Sequence, residues 1–130
     1  MRYAIALDLG TSGFRCQAID IESNETVSTA ITTRHPIPGM NVMDHVNFAM
    51  ESGSDVANGL MIQTVKNLFK LLRIDLNGVE RVAVCGNPFQ LSLFQNIEIR
   101  DLAFAGKSML ERLGVVPPKR DGDIIPAVSL

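Results

Sequence analysis

"ALDLGTSGFRCQAID", residues 6–20, is the stretch on which the fold turns. Two short apolar runs flank Gly10-Thr11-Ser12-Gly13, with Asp8 near the end of the first run and Arg15 opening the second. Tyr3 to Leu9 is apolar at both alternating sets of positions until Asp8, as a strand buried in a covered sheet is. Phe14 to Ile19 reads as its hairpin partner. The turn "IESNET" (21–26) places Ser23-Asn24 at its tip, and "VSTAITT" (27–33) supplies a third strand rich in Thr and Val. These three predict an antiparallel meander.

Working outward, "HPIPGM" (35–40) breaks regular structure, because each proline biases the residue before it towards extended geometry. Asn41 to Met50 predicts a short helix closed by Ser52-Gly53. Ser54 to Arg73 predicts the longest helix, with Ser54 as N-cap and Asp55 in the first turn, where a carboxylate meets the positive helix end. Ala57, Met61, Val65, Leu68 and Leu72 form its apolar stripe, while Gln63, Lys66, Asn67 and Lys70 lie mostly off it. Val79 to Cys85 predicts a buried strand. It runs into Gly86-Asn87-Pro88 and a helix through about Gln95, with Asn87 as N-cap and Pro88 at the first helical position. A helix over Lys107 to Leu113, an exposed linker "VVPPKRDGD" (115–123) and the start of a further strand or crossover in "IIPAVSL" (124–130) complete the pass. The order is α/β: a three-strand meander extended by a parallel strand, with flanking helices, since a strand–helix–strand crossover requires parallel pairing.

The chain has 130 residues, enough for one domain with its own core. With 12 Lys+Arg against 14 Asp+Glu and no basic stripe interleaved with aromatics, the composition argues against nucleic acid as a partner. No apolar run reaches the roughly 20 residues of a membrane span, and Asp8 and Gly10 interrupt the N-terminal run too early for a signal peptide. Cys16 and Cys85 lack metal-ligand spacing and are expected to be small buried apolar residues of a reduced, cytoplasmic protein.

The opening hairpin supports two chemical readings. A phosphate needs several backbone N–H groups converging on one point with no side chain in the way. Gly10 and Gly13 permit that approach, and the Thr11 and Ser12 hydroxyls add two donors. Asp8 is placed to hold the hydration shell of a Mg²⁺, and Arg15 to add positive charge. The plainer reading is a four-residue turn whose N–H groups bond to Asp8. Gly86-Asn87, at the carboxyl end of a strand, reads either as a wall of a nucleotide or partner cleft or as an ordinary helix cap. "AGKS" (105–108) ends like a P-loop, but Asp101 stands where that pattern needs a glycine. His35 and His45, with Asp44, could be proposed as metal ligands, although loop or helix-surface histidines are commoner. Met40, Met43, Met50 and Met61 read as core and interface filler.

"DLGTSGFR" (8–15) resembles the first phosphate motif of the actin, hexokinase and heat-shock chaperone ATPase superfamily, which lies between the first two strands of a ribonuclease H-like domain. The resemblance implies ATP or ADP with Mg²⁺ as ligands, Asp8 as the acid that holds the metal through water, and Gly10, Thr11, Ser12 and Gly13 as the phosphate loop. "VAVCGNPFQLSLF" (82–94), "DLAFAG" (101–106) and the terminal "IIPAVSL" are similar to the reductive activators of corrinoid proteins, and within them to the methanogenesis marker protein 14 family. In that superfamily the nucleotide is closed between two lobes, so residues 1–130 are expected to form the N-terminal lobe, with the second lobe absent from this chain. The corrinoid activators also carry a domain of clustered cysteines holding an iron–sulfur centre. The two separated cysteines here do not match it, so a reductive step would draw its electron from elsewhere.

The function expected from these residues is an ATP-binding lobe of an activator of a methanogenic or corrinoid enzyme. Lobe motion rather than covalent chemistry would be its output. Two alternatives are a sugar or small-acid kinase of the same superfamily and a non-catalytic assembly module. The carbohydrate-kinase pattern requires a Trp-x-Asp-x-Arg segment, and the chain has no Trp. An exposed inter-lobe surface would also allow oligomers.

Overall fold

The computed structural model describes residues 1–103 and 112–114 and the backbone of 124–126. β1 (Tyr3–Leu9), β2 (Phe14–Asp20) and β3 (Thr26–Ile31) form the meander, followed by α1 (Val42–Ser52) and α2 (Ser54–Leu71). After a 3-10 turn over Leu76–Gly78 come β4 (Val79–Gly86), α3 (Pro88–Gln95), the short α4 (Arg100–Ala103) and β5 (Ile124–Pro126). The sheet order is β3-β2-β1-β4-β5. β1 and β2 run antiparallel with Leu9 opposite Phe14, and β4 lies parallel to β1 on its other side, with Leu9 opposite Gly86. The three-residue β5 pairs antiparallel with β4, so the parallel extension of the meander is β4 alone among the described residues. The predicted helix over Lys107 to Leu113 lies outside the described residues except at its end.

The core lies on one face of this sheet. Ile5, Leu7 and Leu9 of β1 and Phe14, Cys16 and Ala18 of β2 are buried there, alternate residues of each strand, as the pleat dictates. The α2 stripe of Ala57, Met61, Val65, Leu68 and Leu72 is buried against them at the predicted helical spacing. Ser28 of β3 donates from its hydroxyl to the Leu72 carbonyl at 2.7 Å and ties the C-terminal end of α2 to the meander. Asn58 Nδ2 donates to the Leu93 and Phe94 carbonyls at 2.8 and 3.0 Å and ties α2 to the last turn of α3.

The opposite face is open among the described residues, which corrects two expectations. β4 is not a buried strand: Val82 alone is fully buried along it, while Ala83 and Cys85 are exposed. Cover reaches it from one face, at Val82, and its apolar run continues onto the open one at Ala83 and Cys85. Cys85 is accordingly exposed, and only Cys16 is the buried thiol expected of both. The methionines divide as well. Met61 is wholly buried, but Met40 is 92% exposed and Met43 60%.

The start of α2 differs too. Its N-cap is Gly53, not Ser54, and no side chain caps it. Gly53 N–H closes α1 on the Ala49 carbonyl at 3.0 Å, and its own carbonyl accepts the first bond of α2 from Ala57 at 3.2 Å. One residue serves both helices, which leaves Ser54 inside the second. At α1 and α3 the predicted caps form: Asn41 Oδ1 accepts from Asp44 N–H at 3.0 Å, and Asn87 Oδ1 from Gln90 N–H at 2.9 Å. No described helix is long and apolar enough to cross a membrane.

Because Met61 sits at the centre of the α2–sheet contact with no exposed surface, Met61→Ala should lower stability by about 2–5 kcal/mol in urea unfolding, through lost transfer energy and a residual cavity.

Candidate functional site

The parallel pairing of β1 and β4 brings the two glycine-containing turns of the sequence to one sheet edge. Asp8 lies opposite Arg15 on β2 and opposite Cys85 on β4, and Leu9 lies opposite Gly86. A Cβ on Gly86 would stand 3.0 Å from the Leu9 carbonyl oxygen, so glycine permits the two strand ends to meet. A Cβ on Gly13 would stand 2.7 Å from Thr32 Oγ1. That hydroxyl accepts from Phe14 N–H at 2.8 Å, and Thr32 N–H donates to the Phe14 carbonyl at 2.9 Å, so the end of the turn is clamped onto the residues after β3.

Between these fixed ends the turn is free. Among the described residues, neither the backbone N–H groups of Thr11 to Gly13 nor the Thr11 and Ser12 hydroxyls make a hydrogen bond, while the Leu9–Phe14 pairing turns the Gly10 N–H towards the Gly13 carbonyl. The plainer reading, in which the turn's N–H groups bond to Asp8, is therefore not what the structure shows. Asp8 and Arg15 face each other in register without forming an ion pair. Asn87 uses its carbonyl oxygen as the α3 cap, so the ordinary-cap reading holds for that atom, while its amide nitrogen has no partner among the described residues.

Two hollows flank the turn, and they divide the sequence-predicted residues. One, of about 480 Å³, lies on the open sheet face and is lined by Asp8, Arg15, Gln17, Ala83 and Cys85 among others. The other, of about 890 Å³, lies on the helical side, between Thr11 and Ser12 and the segment from Thr32 to Met40 that leads to α1. Cys85 is the neighbour of Asp8 that sequence reasoning set aside as buried. Partial burial, then the Asp8 charge and a hydrogen bond to it, hold the Cys85 thiol above its ordinary value. Burial pushes the Cys16 thiol up to about 11.

His35 and His45 were expected at the surface, and both are buried. Their rings stack with centroids 4.0 Å apart, and Phe14 meets His35 edge-on at 5.0 Å. Ile37 N–H donates to His35 Nδ1 at 3.0 Å, which makes His35 Nε2 the protonated nitrogen, donating to Gln90 Oε1 at 2.7 Å. Gln90 Nε2 in turn donates to His45 Nδ1 at 2.9 Å. His45 Nε2 then carries a proton and is buried without a well-formed hydrogen bond, with the Gly39 backbone beside it. Among the described residues no group of three or more His, Cys, Asp or Glu side chains could hold a metal ion, so the pair does not extend to a ligand set with Asp44. It is a structural bridge. His35 anchors the segment after β3, His45 belongs to α1, and Gln90 lies one turn into α3, next to the Gly86-Asn87 end of β4. Ten residues of separation gave no sign of it.

No family model matches the chain. The Co(II) methylated amine-specific corrinoid protein reductase of Methanosarcina barkeri is 59% identical over 128 residues, which cover 98% of this chain and 24% of that protein. The chain thus spans about a quarter of the length of this curated relative. The fold matches a reductive activator for corrinoid, iron-sulfur protein with a TM-score of 0.70 at 20% identity, over 78% of this chain and 17% of that one. At that identity the likeness is one of fold.

Two measurements follow from the site's electrostatics. Burial, only partly opposed by the Gln90 hydrogen bond, lowers His35 from 6.5 to about 4. Between those values the unfolded chain binds more protons than the folded one. Stability should therefore be complete above pH 6.5 and fall as the pH drops towards 4, by about 3 kcal/mol from His35, in urea unfolding series. His35→Gln should flatten that slope. At the sheet edge, Asp8→Asn removes a charge that raises the Cys85 pKa. Alkylation by iodoacetamide at pH 7.5 should become severalfold faster and map to Cys85 rather than Cys16.

Proposed function

We propose that this chain is a nucleotide-phosphate-binding lobe with the actin-like, ribonuclease H-like architecture, serving an ATP-dependent activator of a corrinoid protein. The observation that carries the nucleotide reading is the Gly10–Gly13 turn. Three consecutive N–H groups, those of Thr11 to Gly13, and two hydroxyls stand without partners at the carboxyl edge of parallel strands, held at both ends by the Gly86–Leu9 approach and the Thr32 clamp. Unpartnered donors gathered at the mouth of a rigid sheet suit a polyanion, whose charge they meet without reorganisation.

The donor set fits the nucleotide and its metal. Gly10, Thr11, Ser12 and Gly13 would hold phosphate oxygens. Asp8, exposed beside them, would hold Mg²⁺ through water, and the metal would neutralise phosphate charge. Arg15, opposite Asp8 and free of an ion pair, adds positive charge at the same edge. Gly86 and Asn87 form the neighbouring wall, with the Asn87 amide nitrogen free to donate. No nucleophile is required. Nucleotide binding and hydrolysis in the whole protein would drive lobe closure, and that motion would act on the client.

What supports the client reading is the 59% identical relative, named for reduction of a methylated amine-specific corrinoid protein, together with the shared fold of the second activator. Membership of the methanogenesis marker protein 14 family, expected from the sequence, is the finer proposal within the same activator branch.

Calorimetric titration of the chain with ATP, with and without Mg²⁺, tests the reading. Binding should depend on Mg²⁺ and weaken at least about tenfold in Asp8→Ala, the scale of one lost charge-assisted contact. Binding that ignores both Mg²⁺ and Asp8, or no binding, would overturn it. Phosphoryl transfer to a sugar or small acid in an acceptor screen would instead establish the kinase alternative.

A further inference from the structure

The hollow on the helical side of the turn does not contain Asp8, and the nucleotide reading leaves it unexplained. Its chemistry is specific. Arg34 lines it with an exposed guanidinium that pairs with no acid among the described residues, and no Asp or Glu lines it at all. Asp44, the acid nearest the segment, accepts from Met40 N–H at 2.8 Å and is not part of the lining. Thr11 and Ser12 line the hollow and their hydroxyls have no partners among the described residues, and Thr32, whose oxygen already accepts from Phe14, keeps its own proton to donate. The remaining wall is apolar and exposed, with Met40 at 92% and Leu60 at 38%. Below, His35 and Ile37 are buried and His35 is fixed by Gln90, so the cavity has a rigid floor.

We infer that this hollow is a docking site for an acidic peptide segment with apolar neighbours, contributed by the client protein. A lone inorganic anion would leave most of about 890 Å³ and the apolar wall unused. A purely apolar ligand would leave the guanidinium and three hydroxyl donors without a role. A carboxylate beside a leucine-like side chain satisfies both halves: charge-assisted bonds to Arg34 and the hydroxyls, and packing on Met40, whose unbranched side chain adapts to varied shapes. Thr11 and Ser12 belong to this hollow and to the proposed phosphate turn, and each hydroxyl has one proton, so a carboxylate here and a nucleotide would compete for them. That coupling rests on the nucleotide reading. The docking site does not.

The test is a titration of the isotope-labelled 130-residue chain, followed by amide NMR. The probes are an acetylated, amidated pentapeptide alternating leucine and glutamate, and its glutamine counterpart. Shifts should centre on Thr11, Ser12, Arg34 and Met40 with the glutamate peptide. Affinity should fall about tenfold with the glutamine peptide and in Arg34→Gln, an exposed position that leaves the core untouched. Equal response to both peptides, shifts centred on Asp8 and Cys85, or no response at millimolar peptide would overturn the inference. So would loss of Mg²⁺–ATP binding in Arg34→Gln, which would assign the hollow to the nucleotide. Arg34-dependent peptide binding without any ATP binding would sustain the docking site and overturn the nucleotide reading alone.

Discussion

The parallel pairing of β1 with β4 is the constraint on which the rest of this structure depends. It joins strands separated by the whole meander and both long helices, and the chain must cross over the sheet to make it. That crossover puts α1 and α2 on one face and leaves the other open. It also sets Leu9 against Gly86, so that two turns distant in sequence end at one edge. A side chain at residue 86 would separate them by crowding the Leu9 carbonyl.

A second tie keeps this edge in shape. The His35–Gln90–His45 bridge links the segment after β3, the first helix and the helix after β4 through a buried polar contact. Polar groups sealed from water hold a specific geometry because a broken bond cannot be replaced by solvent. Burial lowers the pKa of both histidines and so favours their neutral forms, and His45 Nε2 is buried without a well-formed hydrogen bond, near the Gly39 backbone. Phe14, edge-on to His35 and next to Gly13, carries the connection to the turn.

Much of the local structure was legible. β1 is bounded as its apolar run implies, and the α2 stripe packs as its spacing implies. Asn41 and Asn87 cap the helices that follow them. Each depends on residues a few positions apart, and local rules describe such distances well. The errors are of another kind. Ser54 satisfied the cap pattern but lost the role to Gly53, because two helices meet there and share one residue. β4 looked buried because apolar content does not say which face a helix will cover.

Of the candidate site, the sequence by itself determined the turn: its glycines, hydroxyls and flanking acid and base follow from residues 8–15 and need only a hairpin to bring them together. The tertiary structure decided what that turn faces. It placed Asp8, Arg15 and Cys85 in one hollow and Thr11, Ser12 and Arg34 in another, and it buried two histidines that sequence spacing had left at the surface. The physical reason is that strand register and helix packing are settled by burial of distant apolar residues. No short motif encodes which of its two sides will meet the core.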